Sequence, residues 1–168
     1  VSLSDDGSRL AVGTMVSLLS PINTYFEVYE YTTSWQLLGS RIATNTFNDE
    51  FSRSISLSGD GARLIVGAPG FVDPDSPNGY VNVYEYATSD WNLLDSIAGD
   101  ASGDIFGTSV AATTTGEQFV VGAPLNGAGG ETAGQVKVYG PPIPDTEAPT
   151  VSFATSEHRG TSRENDKY

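Results

Sequence analysis

Apolar and polar residues alternate in several short runs of this chain. Residues 26–28 (Phe-Glu-Val), 81–83 (Val-Asn-Val) and 136–138 (Val-Lys-Val) each place apolar side chains on one side and a polar one on the other. A period of two residues is that of a β-strand with one buried face. Residues 64–66 (Leu-Ile-Val) are apolar throughout, as expected for a strand covered on both faces. The pattern predicts an all-β chain with many turns.

The same pattern returns at a fixed interval. Residues 1–7 (Val-Ser-Leu-Ser-Asp-Asp-Gly) recur as residues 55–61 (Ile-Ser-Leu-Ser-Gly-Asp-Gly) and, more loosely, as residues 110–116, at steps of 54 and 55 residues. A repeat of this length that carries four short strands is typical of the blades of a β-propeller. We therefore expect a partial, open β-propeller of about three four-stranded blades, at residues 1–51, 52–106 and 107–140.

Each copy is predicted to contain strands A to D in chain order. Strand A covers residues 108–113 in the third copy, strand B is Arg63–Ala68 in the second, strand C is the alternating run, and strand D covers residues 35–42 or 91–97. The third copy lacks strand D, because Tyr139 and Gly140 lead directly into Pro-Pro-Ile-Pro. Residues 141–168 are predicted to be a Pro-rich linker and a disordered tail.

Composition narrows the range of functions. The chain has 168 residues, eight Lys and Arg against 21 Asp and Glu, a formal net charge of −13, no Cys and one His, which is His158. These counts argue against disulfides, thiolate chemistry, His-based triads and zinc centres. The negative charge argues against nucleic acid as a ligand, and no apolar run is long enough for a transmembrane helix. We therefore expect a protein that is not an enzyme.

Three motifs combine in the third copy, at residues 104–107 (Asp-Ile-Phe-Gly), 119–124 (Phe-Val-Val-Gly-Ala-Pro) and 134–139 (Gly-Gln-Val-Lys-Val-Tyr). This combination resembles the FG-GAP repeat of integrin α-chain β-propellers. The second copy keeps Gly-Ala-Pro but has Phe-Ser at residues 51–52, and the first copy has Gly-Thr-Met at residues 13–15. The resemblance covers residues 1–140. It implies a non-catalytic interaction module, extracellular or at the cell surface, that takes part in adhesion or protein recognition.

These motif residues have a structural role before any functional one. Strands A and B are antiparallel, so the Phe-Gly that begins strand A is expected beside the Gly-Ala-Pro that ends strand B, with the Phe ring over the small Gly-Ala surface. Recurring Tyr and Trp residues on strands C and D are expected to pack between blades rather than stack on sugars. The structural-motif residues are Phe51, Phe106, Gly107, Gly67, Ala68, Pro69, Gly122, Ala123 and Pro124.

Metal-binding blades of the resembled family carry a loop of the Asp-x-Asp-x-Asp-Gly type between strands A and B, where alternate carboxylates converge on calcium. Residues 4–7, 58–61 and 113–116 do not supply that set of oxygens, so no metal site and no cofactor is assigned there. Residues 73–79 (Asp-Pro-Asp-Ser-Pro-Asn-Gly) offer alternating oxygens between strands B and C. A calcium site at that loop stays open beside an ordinary turn.

The B–C and D–A connections are long and varied, whereas the A–B and C–D turns are short. In an up-and-down blade the long connections share one face, and binding residues tend to lie in long loops on a rigid scaffold. The ligand-binding candidates are Phe71, Asp73, Asp75, Asn126 and Asp100. The expected partner is a protein or glycan ligand, basic or bridged by a cation, besides the remaining blades of a parent propeller.

Two other functions remain open on these residues. One is a lectin-like, carbohydrate-binding propeller with sugar pockets between its blades. The other is an accessory domain of a larger secreted hydrolase, with the chemistry elsewhere in the parent chain.

Overall fold

A computed structural model describes residues 1–14, 24–44, 49–70, 78–130 and 132–141. These residues form strands and turns and no helix, so the described part of the chain is all-β. The strands make three antiparallel sheets, none of which closes into a barrel. Within the described ranges, no helix is long and apolar enough to cross a membrane.

The first sheet contains five strands. Strands β1 to β4 are neighbours in chain order, and β5 also pairs with β3, beside β4. Their bounds are β1 (Ser2–Leu3), β2 (Arg9–Thr14), β3 (Thr24–Tyr31), β4 (Trp35–Leu37) and β5 (Ile42–Thr44).

The second and third sheets repeat this order. The second sheet is formed by β6 (Ser54–Leu57), β7 (Arg63–Ala68), β8 (Tyr80–Ala87) and β9 (Asp90–Ala98). The third is formed by β10 (Ser109–Ala112), β11 (Phe119–Ala123) and β12 (Gln135–Tyr139). Neighbouring strands within each of these two sheets pair in chain order, and no fourth strand joins the third sheet among the described residues.

The central strand of the second sheet explains the continuous apolar run. Leu64 and Val66 contribute to one core, between the first and second sheets, whereas Ile65 contributes to a second core, between the second and third sheets. All three side chains are fully buried. Successive side chains of a strand point to opposite faces, so a strand that is covered on both sides is apolar at every position.

Two loops with the sequence Asp-x-Phe enter these cores, and we call residues 49–52 and 104–107 the Phe corners. Phe51 lies in the core between the first two sheets, with its ring centroid 6.1 Å from that of Phe26. Phe106 lies in the core between the second and third sheets, with Val81 and Val83 of β8. The sequence predicts that each Phe ring packs over the Gly-Ala surface of its own strand pair. In the structure each ring also packs against the preceding sheet, so the prediction describes only part of its surroundings.

Small residues at the end of the second strand make room for the corner of the next sheet. A Cβ atom on Gly67 would collide with the carbonyl oxygen of Gly107, and Ser54 Oγ donates a hydrogen bond of 2.7 Å to that oxygen. The Gly107 N–H donates to the Gly122 carbonyl, 3.1 Å away in its own sheet. Gly107 itself has a φ of +92°, a conformation that glycine adopts without a steric cost.

Strand D of the first copy differs from its prediction, because it is split into β4 and β5. The break falls at Gly39, whose φ of +77° turns the chain, while the Leu38 side chain remains in the core between the first two sheets. The predicted strand A of the third copy is also shorter, as Ser109–Ala112. In the second copy, strand D forms as one strand, β9.

Two polar contacts hold the first sheet to the second near this break. Trp91 Nε1 donates to the Leu38 carbonyl at 3.0 Å. The carboxylate of Asp90 accepts hydrogen bonds from the backbone N–H of Ser40 at 2.7 Å and from its hydroxyl at 2.9 Å. These donors stabilise the ionised carboxylate and lower the pKa of Asp90.

Most of the predicted linker and tail lies outside the described residues. Pro141 is described and accepts a hydrogen bond from Gln118 Nε2 on its carbonyl oxygen, at 2.9 Å. Residues 142–168, which include His158, are not described.

We predict that Phe106→Ala lowers the free energy of unfolding by about 3–5 kcal/mol, because it empties a fully buried position between two sheets. Leu93→Ala is the control, since that side chain lies on the same domain with 54% of its area exposed. The control is expected to change stability by no more than about 0.5 kcal/mol. Urea unfolding at neutral pH measures both values, and equal effects would contradict the role of the Phe corner.

The lowered pKa of Asp90 predicts that the stability of the fold depends on pH. Because its pKa is lowered in the folded state, its contribution to stability is present above the unfolded pKa of about 4 and is lost as the pH falls through the lowered value. Asp90→Asn should therefore be less stable at neutral pH and lose less stability on acidification than the unchanged chain. Asp95→Asn, an exposed position on β9, is the matched control in the same pH series of urea unfolding curves.

Candidate functional site

The long connections meet at one end of the sheets, which we call the connection face. It contains the β5–β6, β7–β8, β9–β10 and β11–β12 connections, whose described parts contact one another through the backbone. The Gly70 N–H donates to the Asp49 carbonyl at 3.0 Å, and the Leu125 N–H donates to the Asp104 carbonyl at 3.4 Å. In the second and third sheets, the start of the B–C connection is thus hydrogen-bonded to the Phe corner that precedes the sheet.

The sequence candidates fall in different places. Phe71, Asp73 and Asp75 lie outside the described residues. Asp100 and Asn126 are described, and both lie on the connection face. Their surroundings differ, since Asp100 is exposed and Asn126 is buried.

Asn126 is directed inward. Its Nδ2 donates to Asp104 Oδ2 at 2.6 Å, and its Oδ1 accepts from the Ala128 N–H at 3.0 Å. Both ends of the amide are therefore used within the protein, and the side chain is only 4% exposed. This geometry orders the loop after β11 and holds the carboxylate of the second Phe corner.

Asp100 is directed outward, and its carboxylate forms an ion pair with a lysine. Its Oδ1 lies 2.5 Å from Lys137 Nζ, and the hydrogen bond between them raises the pKa of the lysine. The same ammonium lies 5.7 Å from the centroid of the Phe106 ring. Because the pair is exposed, its net contribution to stability is small, and both groups remain accessible to a partner.

Asp49 is a buried carboxylate that the sequence pattern did not single out. It is 1% exposed, and it accepts hydrogen bonds from the Phe51 N–H at 3.1 Å, Tyr80 Oη at 2.7 Å and Thr44 Oγ1 at 3.1 Å. Burial and this carboxylate raise the pKa of the Tyr80 hydroxyl. The recurrence of Asp49 as Asp104 was the available signal, but recurrence alone does not show burial.

The two Phe corners share an unusual backbone. Glu50 and Ile105, at equivalent positions, have φ values of +50° and +49°. A positive φ is costly for a β-branched residue such as Ile105, so the surrounding contacts must hold it. The buried carboxylate before it and the buried ring after it supply those contacts, and the corners are therefore rigid structural elements.

The carboxylates of this face fall into buried and accessible groups. The buried carboxylates of Asp49 and Asp104 are occupied by hydrogen bonds from the protein. Across the described ranges, no three His, Cys, Asp or Glu side chains are grouped closely enough to hold a metal ion. The accessible groups among the described residues include the Asp100–Lys137 pair and Arg53, which pairs with Glu50.

Comparison with known proteins gives a likeness in fold. No family model matches the sequence, and no curated protein matches it. Among solved structures, the hydrazine synthase of Kuenenia stuttgartiensis is similar, with a TM-score of 0.51 and 12% sequence identity. The likeness covers 83% of this chain and 44% of that one, so this chain spans less than half of its length. At this identity the likeness concerns the fold alone.

We predict that Tyr80→Phe lowers the free energy of unfolding by about 1–3 kcal/mol, because it removes one of the donors to the buried Asp49 carboxylate. Tyr31→Phe is the control, as its side chain is 51% exposed. Urea unfolding of the two variants at one pH makes the comparison. A Tyr80→Phe chain as stable as the control would show that this hydrogen bond does not hold the corner.

Proposed function

We propose that the chain forms three blades of an FG-GAP-like β-propeller and acts as a non-catalytic interaction module, extracellular or at the cell surface. One observation carries this proposal. The Phe residues that recur between repeats, Phe51 and Phe106, are buried between sheets, whereas the connections differ in sequence and their described parts lie at one end of the sheets. Such an arrangement leaves the connection face free to bind.

Charge indicates the chemistry of the partner. The chain carries a net charge of −13, and Asp100 is exposed on the connection face. Asp73 and Asp75 belong to one of the same connections in the sequence. A basic protein surface, bound directly or through a bridging cation, complements this charge.

A second function has one observation in its favour. Tyr31 and Trp35 form an edge-to-face pair with ring centroids 5.4 Å apart, and both are exposed. Exposed aromatic pairs suit the apolar faces of sugars, which is the basis of a lectin-like propeller. The equivalent Tyr86 and Trp91 pair packs against the first sheet, which favours sheet packing as the role of this position.

The proposal predicts binding of a synthetic peptide of alternating Lys and Ser. We expect the affinity to fall with rising salt and to fall several-fold in an Asp73→Asn, Asp75→Asn, Asp100→Asn chain, because these changes remove three negative charges from the long connections of the sequence. The matched control is Asp5→Asn, Asp95→Asn, Glu117→Gln, which removes the same charge elsewhere. Surface plasmon resonance on the immobilised chain measures each affinity.

Two results would contradict the proposed face. Equal losses in the two triple variants would show that net charge, and not the connection face, attracts the peptide. Specific binding on a glycan array, abolished by one free monosaccharide and by Trp35→Ala, would support the lectin-like function instead.

A further inference from the structure

Lys137 and Asp100 stand on the two sides of the interface between the second and third sheets. Lys137 lies on β12 of the third sheet, and Asp100 follows β9 of the second sheet. These two sheets pack together through the core that contains Phe106. The pair therefore lies at a closed interface, at the point where that interface meets solvent on the connection face.

The Lys137 ammonium lies where carboxylates and an aromatic ring favour a cation. Its Nζ atom is 2.5 Å from Asp100 Oδ1 and 5.7 Å from the centroid of the Phe106 ring, within the range of a cation–π contact. The hydrogen bond to Asp100 raises the pKa of Lys137, and the carboxylate of Asp104 also attracts the ammonium. Two carboxylates and one ring thus act on a single positive charge.

The fold does not need a cation at this position. Asn82 of β8 is the equivalent of Lys137, since it faces Val66 on β7 as Lys137 faces Val121 on β11. Phe51, in the core that this side of β8 covers, is 1% exposed, and so is Phe106. A Phe corner is therefore equally buried with an amide or with an ammonium at this place. The ion pair serves something other than the packing of the corner.

The ion pair is also weakly held. The side chains of Lys137 and Asp100 are 26% and 53% exposed. An ion pair in contact with water contributes at most about a factor of five to an equilibrium constant, because water and salt screen its charges and both side chains lose freedom. The Lys137 ammonium can therefore leave Asp100 at small cost, and another cation can take its place.

From these contacts we infer that Asp100, with the Phe106 ring behind it, is the docking position for a lysine side chain of a basic partner protein, and that Lys137 competes for this position from within the chain. This inference rests on the proposed function, because it assigns one contact of the connection face. Lys137 itself shows that a primary ammonium fits the position. The net charge of −13 and the nearby carboxylate of Asp104 attract a basic partner to it.

Competition by Lys137 lowers the apparent affinity for the partner. The partner's cation reaches Asp100 only in the fraction of molecules in which Lys137 has left it, so the apparent dissociation constant is the intrinsic one divided by that fraction. With an exposed ion pair of ordinary strength, removal of the Lys137 ammonium should tighten binding by about two- to fivefold.

The test gives each residue of the pair the identity found one repeat earlier. Lys137→Asn introduces the residue type of Asn82, and Asp100→Asn introduces that of Asn45, 55 positions before it. Surface plasmon resonance on the full chain measures the affinity for the peptide of alternating Lys and Ser. We expect Lys137→Asn to bind about two- to fivefold more tightly than the unchanged chain, and the gain to vanish when Asp100→Asn is added. Circular dichroism and urea unfolding check that each variant is folded.

Two controls separate the ion pair from charge in general. Lys137→Arg keeps a cation beside Asp100 and should bind the peptide no more tightly than the unchanged chain. Lys167→Asn removes the same charge from the same residue type without altering β12, and it should leave the affinity unchanged. An equal gain in Lys167→Asn and Lys137→Asn, or a gain that survives Asp100→Asn, would overturn the inference.

A second measurement examines the docking position without the peptide. Nα-acetyl-lysine amide is titrated into the isotopically labelled Lys137→Asn chain, and the backbone amide signals of residues 100–107 are followed by NMR. Nα-acetyl-norleucine amide, which lacks the charge, is the control ligand. We expect saturable shifts with the lysine amide alone, and smaller shifts at equal concentration in the unchanged chain, where Lys137 competes.

The two measurements distinguish failure of the inference from failure of the proposed function. Peptide binding to the unchanged chain that Lys137→Asn does not tighten would overturn the inference and leave the proposed function in place. An absence of lysine-amide shifts in the Lys137→Asn chain would also overturn the inference. Lysine-amide shifts in a chain that does not bind the peptide would support the docking position and contradict the proposed function.

Discussion

Burial of the Phe corners between sheets is the interaction on which the rest of this structure depends. The apolar face of a β-sheet must be covered by another layer, and here successive sheets cover one another. Phe51 and Phe106 each fill the space between two successive sheets and are 1% exposed. The ring can enter only because the backbone around it is held in a sharp turn, with Asp49 or Asp104 fixing the loop from one side. The buried ring, the sharp turn and the buried carboxylate thus depend on one another, and they occur together at both interfaces between successive sheets.

The residues of the Phe corners have a structural role, which distinguishes them from the surface residues that remain accessible. The recurring Asp, Phe and Gly positions are occupied by contacts within the protein, so substitution there acts on stability first. The connection face retains accessible groups, such as the Asp100–Lys137 pair.

Much of the strand pattern could be predicted, because the period of two residues and the repeat step report directly on which faces are buried. Strand β7 has the bounds predicted for it, Arg63–Ala68. The split into β4 and β5 was missed, because it depends on the left-handed turn at Gly39 and on the contact of Ser40 with Asp90. That contact joins residues fifty positions apart, which no local pattern records.

The sequence by itself determined the strand content, the repeat step and the negative charge, since these follow from residue type and spacing alone. Tertiary structure decided the roles of individual polar residues. Asn126 looks like a loop residue in the sequence, yet it is buried against Asp104; Asp49 looks unremarkable, yet it is the acceptor that holds a corner. The reason is physical: burial of a polar group depends on which distant strands cover it, and that depends on how the sheets pack. Only the packed structure shows which of two equivalent apolar faces is covered and which is open.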